Sequence, residues 1–252
     1  MRTDKMALMT QAQFQPTPDG AIVFDPEAIA QARFDQDWFE PDYWRARAAA
    51  QATTGGRGSA MFIATPIGGC VLRHYRRGGM AARVFGDRYF WTGVEHTRSF
   101  AEFRLLQALR GKGLRVPQPL AARCRRSGVQ YRADILTRRV EQAATLAELL
   151  AQGRLDAAVA SRVGAEIARF HAQGAYHADL NAHNILLADA AVWLIDFDRG
   201  ELRAPARTWQ LANLARLKRS LRKIGAARNG ESEFERDLWQ PLLAAWEKGM
   251  AA

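Results

Sequence analysis

The run His177-Ala178-Asp179-Leu180-Asn181-Ala182-His183-Asn184, continued by Ile185-Leu186-Leu187 and then Val192-Trp193-Leu194-Ile195-Asp196-Phe197-Asp198, constrains this chain more than any other feature. It sets a carboxylate, a carboxamide five positions on, and a second carboxylate after a short apolar strand. One carboxylate in such a set can orient and deprotonate a hydroxyl. The carboxamide and the second carboxylate supply the hard oxygens that a small divalent cation prefers.

Written as H-x-D-x-x-x-x-N followed by D-F-x, the pattern is similar to the catalytic and metal-binding loops of the protein-kinase-like fold. Phosphoryl transfer from Mg-ATP requires this set of groups. Asp179 is the candidate catalytic base, with His177 and Asn181 flanking and orienting it. Taken alone, Asp179 would read as a loop carboxylate capping the Asn184 or Ile185 amides, but Asn184 and Asp196 at the right spacing outweigh that reading. Asn184 and Asp196 are the candidate Mg²⁺ ligands. Asp198 either joins the metal shell or caps the segment that follows. His171, in the preceding helix, reads as a packed core histidine.

Along the chain a strand-rich first part gives way to a helix-rich second part that carries the motif. This order predicts an α+β, two-lobed fold with a small β-rich N-lobe and a larger helical C-lobe. Residues 1–52 read as an extension packing on the N-lobe, 53–140 as the N-lobe and 141–252 as the C-lobe. Within the extension, Asp42 to Gln51 reads as a helix. Ala60-Met61-Phe62-Ile63-Ala64 and Cys70-Val71-Leu72-Arg73-His74-Tyr75, around Pro66-Ile67-Gly68-Gly69, read as a hairpin. Before it, Gly55, Gly56 and Gly58 form a small-residue loop whose amides could cover ATP phosphates, although a plain flexible loop has the same composition. Thr97–Arg110 has helical spacing, with Phe100, Phe103, Leu106 and Leu109 on one face and Glu102 beside them. Glu102 suits the ion-pairing glutamate of a kinase-like fold, and Arg73 stands where its lysine partner would be; a surface arginine is the bland alternative. Arginine is not a substitute for a compact ammonium, because its planar fork bridges carboxylates and phosphates differently.

Net charge is +10 over 252 residues and is carried almost entirely by arginine, which points to an anionic partner. Leu211, Leu214, Leu217, Leu221 and Ile224 form an apolar stripe, with Arg216, Lys218, Arg219, Arg222 and Lys223 around it. Such a helix either lies on an anionic membrane or packs its stripe inward and shows a solvated basic face. Diffuse arginine without interleaved aromatics does not suit a nucleic-acid module. Cys70 and Cys124 read as buried reduced thiols. No secretory signal or spanning helix is evident.

Beyond these motifs, Val71 to Gly79, Thr97 to Leu106, His177 to Leu187 and Trp193 to Gly200 together resemble the bacterial Kdo (3-deoxy-D-manno-octulosonic acid) kinase family, from about Thr53 to Ile224. The resemblance implies ATP and Mg²⁺ as cofactors and the 4-hydroxyl of Kdo on a lipid A precursor as acceptor. It further implies work at the cytoplasmic face of the inner membrane, held there peripherally. It supports Asp179 as base and Asn184 and Asp196 as metal ligands, and makes Arg73 part of the family's own pattern. Asp198 stands where protein kinases have glycine, which argues against a protein substrate. A monomer is expected. Another core-sugar or small-molecule kinase of the same fold, and a basic membrane-bound pseudokinase, are the competing readings.

Overall fold

The structure is a computed structural model and describes residues 12–29, 34–52, 60–76 and 86–252. The chain divides into two compact units. One comprises Met1–Gly111 with Pro117–Arg139, the other Lys112–Val116 with Val140–Ala252.

The first unit is built on an antiparallel sheet. Its strands are β1 (Gln13–Thr17), β2 (Gly20–Phe24), β3 (Ala50–Ala52), β4 (Ala60–Thr65), β5 (Gly68–His74), β6 (Tyr89–Phe90), β7 (Pro119–Ser127) and β8 (Gln130–Arg138). Among the described residues they lie in the order β1-β2-β7-β8-β5-β4-β3, with β6 also paired to β8. Alternation along β5 buries Cys70 and Leu72, which join Ile22, Trp38, Phe39, Trp44, Ile63, Leu120 and Leu136 in one core. Helix α1 (Arg98–Gly111) buries Phe100, Phe103, Leu106 and Leu109, the face its spacing predicts.

A polar row crosses this sheet. Arg123 on β7 sits opposite Asp134 on β8, which sits opposite His74 on β5. Arg123 Nε donates to Asp134 at 3.0 Å, and Asp134 lies 2.7 Å from His74 Nδ1. Arg123 also donates to Glu40 at 2.6 Å, which ties the N-terminal segment to the sheet. The helix expected over Asp42–Gln51 is shorter than its sequence suggests. It spans Pro41–Arg45, is followed by a turn with Ala48 in the left-handed region (φ 51°), and gives way to β3 pairing with β4. Trp44 decides this: buried, with its indole donating to the Trp38 carbonyl at 2.8 Å, it anchors one helical turn and lets the chain leave for the sheet.

The second unit is mostly helical. Its longer helices are α2 (Leu146–Ala151), α3 (Ala157–Ala172), α4 (Arg207–Lys223) and α5 (Gln240–Ala251). Thr145 and Glu148 form a reciprocal capping box at α2, and Asp156 caps α3 through the Val159 amide at 2.8 Å. Helices α3 and α5 approach closely because Gly164 has no side chain: a Cβ there would stand 2.0 Å from the Leu242 carbonyl oxygen. Strands β9 (Ala144–Thr145), β11 (Ile185–Ala188) and β12 (Ala191–Leu194) form a small sheet, and β10 (Ala175–Tyr176) pairs with β13 (Glu201–Leu202). Cys70 and Cys124 are buried free thiols. Among the described residues no helix is long and apolar enough to cross a membrane.

Candidate active site

The loop from β10 to β11 and the turn after β12 are tied together through one residue, Ile195. Its amide donates to the Asn184 carbonyl at 3.0 Å, and its carbonyl lies 2.9 Å from His177 Nε2. His177 Nδ1 meanwhile accepts from the Asp179 amide at 3.1 Å. A carbonyl only accepts and a backbone N–H only donates, so the two bonds select the neutral, Nε2-protonated ring. Burial pushes the His177 pKa below its ordinary value, in keeping with that state. Phe197 is buried beside it, with its ring 4.6 Å from the His177 ring and 5.9 Å from that of Phe170. Asp196 is thereby presented from a fixed turn, in the left-handed region (φ 62°), a conformation unusual for a non-glycine residue.

The backbone carbonyl of Asp179 receives the side-chain amides of both Asn181 and Asn184, each at 3.0 Å. Asn181 uses its own Oδ1 to accept from the His183 amide at 2.8 Å, which closes the loop. Asn184 spends its N–H on the loop, so its Oδ1 is the end left for coordination. A carboxamide oxygen and the Asp196 carboxylate fit a hard cation that takes few protein ligands and keeps waters or phosphate oxygens. Among the described residues no cluster of three or more His, Cys, Asp or Glu forms an all-protein cage. Asp198 lies half-buried on the same turn, and His183 is exposed.

Helix α4 braces this loop with a polar stripe. Gln210 Nε2 donates to the His171 carbonyl at 3.3 Å, and Asn213 Nδ2 donates to the His177 carbonyl at 3.1 Å. Ser220 Oγ accepts from the Ala182 amide at 3.1 Å. Between those two loop contacts, Arg216 sends both Nε, at 2.8 Å, and Nη2 to Oδ1 of Asp179. In the sequence the apolar stripe of this helix stands out, and Arg216 reads only as part of the charge around it. A signal was present: Gln210, Asn213, Arg216 and Ser220 recur at spacings of three, three and four, which place them on one face. Of the apolar stripe, Leu214, Leu217 and Leu221 are buried, while Leu211 is 43% exposed. The basic residues around it are largely engaged, Lys218 with Glu235 and Arg222 with Glu231 and Glu235. Arg219 and Lys223 are exposed.

His171 packs in the core, with the Trp246 indole donating to its Nδ1 at 3.0 Å. In the first unit Arg73 pairs with the buried carboxylate of Glu102. Tyr75, which the sequence reading passed over, completes a triangle: its hydroxyl donates to Glu102 at 2.5 Å and accepts from Arg73 at 3.1 Å. Gly55, Gly56 and Gly58 lie outside the described residues.

Residues 41–246 match the model of the lipopolysaccharide kinase (Kdo/WaaP) family. The chain belongs to that family. Within it, the chain is 49% identical over 235 residues to a 3-deoxy-D-manno-octulosonic acid kinase of Stenotrophomonas maltophilia (strain R551-3), covering 91% of this chain and 92% of that protein. It is 50% identical over 240 residues to a protein of the same name from Xanthomonas campestris pv. campestris (strain B100), covering 91% and 92%. Among solved structures it resembles a WaaP solved in complex with acyl carrier protein, with a TM-score of 0.50 at 20% identity over 91% of this chain and 98% of that one. This lipopolysaccharide kinase therefore has the protein-kinase-like α+β fold and is a phosphotransferase.

Proposed function

We propose that this kinase transfers the γ-phosphoryl group of ATP to the 4-hydroxyl of Kdo on a Kdo–lipid A precursor, during assembly of the lipopolysaccharide inner core. The observation that carries the reading is identity of about one residue in two, across nine-tenths of both chains, to proteins named 3-deoxy-D-manno-octulosonic acid kinase. The enzyme works as a monomer, held peripherally at the cytoplasmic face of the inner membrane.

Asp179 is the general base. Its backbone is fixed by His177, Asn181 and Asn184, and Arg216 occupies one of its two carboxylate oxygens. The other carboxylate oxygen takes the proton of the acceptor hydroxyl as the hydroxyl oxygen attacks the γ-phosphorus and ADP departs. Asn184 and Asp196, with Asp198 beside them, would hold Mg²⁺, which would supply positive charge against the phosphate oxygens. In residues 53–140, the N-lobe of this reading, Arg73 contacts the nucleotide phosphates, and Glu102 and Tyr75 hold its fork. Gly55, Gly56 and Gly58 cover the phosphates with backbone amides, and residues 141–252 carry the chemistry.

The test is mass spectrometry of Kdo–lipid IVA after incubation with protein and Mg-ATP, beside an Asp179→Ala control. One added phosphate on Kdo is expected, with turnover in the variant lower by about 10²–10⁴ and folding intact. ADP release without modified lipid would keep the kinase and remove this acceptor. Absence of nucleotide turnover on any core sugar would leave a pseudokinase.

A further inference from the structure

An arginine fork on a candidate catalytic base calls for a reason. The Arg216 and Asp179 side chains are 46% and 45% exposed, and ion pairs at such exposure add little to stability. Yet the arm is held firmly: Asn213 and Ser220 clamp α4 to the catalytic loop on either side of it. Both contacts fall on Oδ1, and they use the Nε–Nη2 edge of the guanidinium. Among the described residues, Asp179 Oδ2 has no protein donor and Arg216 Nη1 has no protein acceptor. The pair thus offers a hydrogen-bond acceptor and, one guanidinium away, a cationic edge with N–H groups to spare. A ligand that fits both presents a hydroxyl and, a few bonds away, an anionic group with paired oxygens.

We propose that Arg216 is a specificity-determining residue that binds the carboxylate of the acceptor sugar while Asp179 receives its hydroxyl. This rests on the Kdo reading above: Kdo is a sugar acid, so hydroxyl and carboxylate share one ring. The fork joins the two contacts through a single rigid plane. Gripping the carboxylate sets the hydroxyl against Oδ2, and a neutral sugar loses that hold. Arginine suits the task because its donors are fixed in a plane, whereas a lysine could satisfy only one contact at a time.

The experiment measures kcat and KM for a Kdo glycoside and for its C1 carboxamide, with wild type, Arg216→Gln and Arg216→Lys. Hydrogen bonds to charged groups contribute about 1.5–3 kcal/mol, so wild type should prefer the acid over the amide by roughly 10–100-fold in kcat/KM. Arg216→Gln should abolish the preference, with the loss chiefly in KM for the acid and the KM for ATP unchanged. Arg216→Lys should restore part of it. Equal losses on acid and amide would overturn the proposal, leaving Arg216 to act only through Asp179. A raised KM for ATP would also overturn it, by giving the free edge to the γ-phosphate. A wild-type protein that phosphorylates no Kdo acceptor would overturn the functional reading itself and this inference with it.

Discussion

His171 and His74 are held in opposite protonation states by their neighbours. An indole N–H can only donate, so the Trp246 contact requires an unprotonated Nδ1 on His171, and burial pushes the pKa of that ring down to about 4. The unfolded chain binds its proton near 6.5. Stability contributed by neutral His171 is therefore fully present above about pH 6.5 and is lost as pH falls through 4, a swing of about 3 kcal/mol. His74 runs the other way. Its bond to Asp134 raises its pKa against the cost of burial, with Asp87 adding to the rise at 2.9 Å from Nε2. The stabilisation it gives is present below about 6.5 and is lost as pH rises through its folded value. NMR titration should show a His171 ring that stays neutral between pH 8 and 5, and a His74 ring that loses its proton above 6.5. Thermal stability should fall between pH 6.5 and 4.5, less steeply in His171→Gln. A His171 ring titrating near 6.5 would refute the buried Trp246 contact.

At the scale of elements, α3 and α5 meet backbone to backbone at Gly164. Alanine in place of Gly164 gains about 1 kcal/mol of helix propensity but drives a methyl group into the Leu242 backbone, which cannot swing aside as a side chain does. Overpacking of this kind costs about 1–3 kcal/mol, so Gly164→Ala should lower the denaturation midpoint. An unchanged or raised midpoint would mean that the helices part easily. Nothing in the sequence marks Gly164 as a contact, because its partner lies far along the chain. The same limit separates what could be read from what could not. Phe100, Phe103, Leu106 and Leu109 declare α1 by their own period, and Asp179, Asn184 and Asp196 declare the catalytic loops because they lie within one short stretch. The row Arg123–Asp134–His74 exists only once β7, β8 and β5 are set side by side in register. Strand β1 is mostly exposed and contains Pro16, so it owes its conformation to pairing with β2 rather than to any pattern of its own. Arg216 reaches Asp179 from another element, and the apolar stripe of α4 drew attention from the polar face that does the bracing.

For the whole molecule, net charge and available charge differ. The chain carries +10, yet many of its arginines already face carboxylates: Arg73 with Glu102, Arg115 with Glu166, Arg123 with Glu40 and Asp134, and Arg222 with Glu231. On α4 the leucines that would enter a bilayer are mostly spent on the unit's own core, so a peripheral attachment through this helix would rest on charge rather than on insertion. Arg219 and Lys223 are exposed there and, among the described residues, make no ion pair, whereas neutralising Arg222 would also break its bonds to Glu231 and Glu235. A basic side chain near an anionic leaflet contributes about 1 kcal/mol, so removing both charges should weaken binding by about 30-fold in low salt. The variant Arg219→Gln/Lys223→Gln should therefore sediment less with vesicles containing phosphatidylglycerol and behave as wild type with purely zwitterionic ones. The difference should shrink toward zero in 0.5 M salt, where screening shortens the reach of these charges to about 4 Å. Unchanged sedimentation of the double variant on anionic vesicles at low salt would move the membrane-facing surface to another part of the molecule.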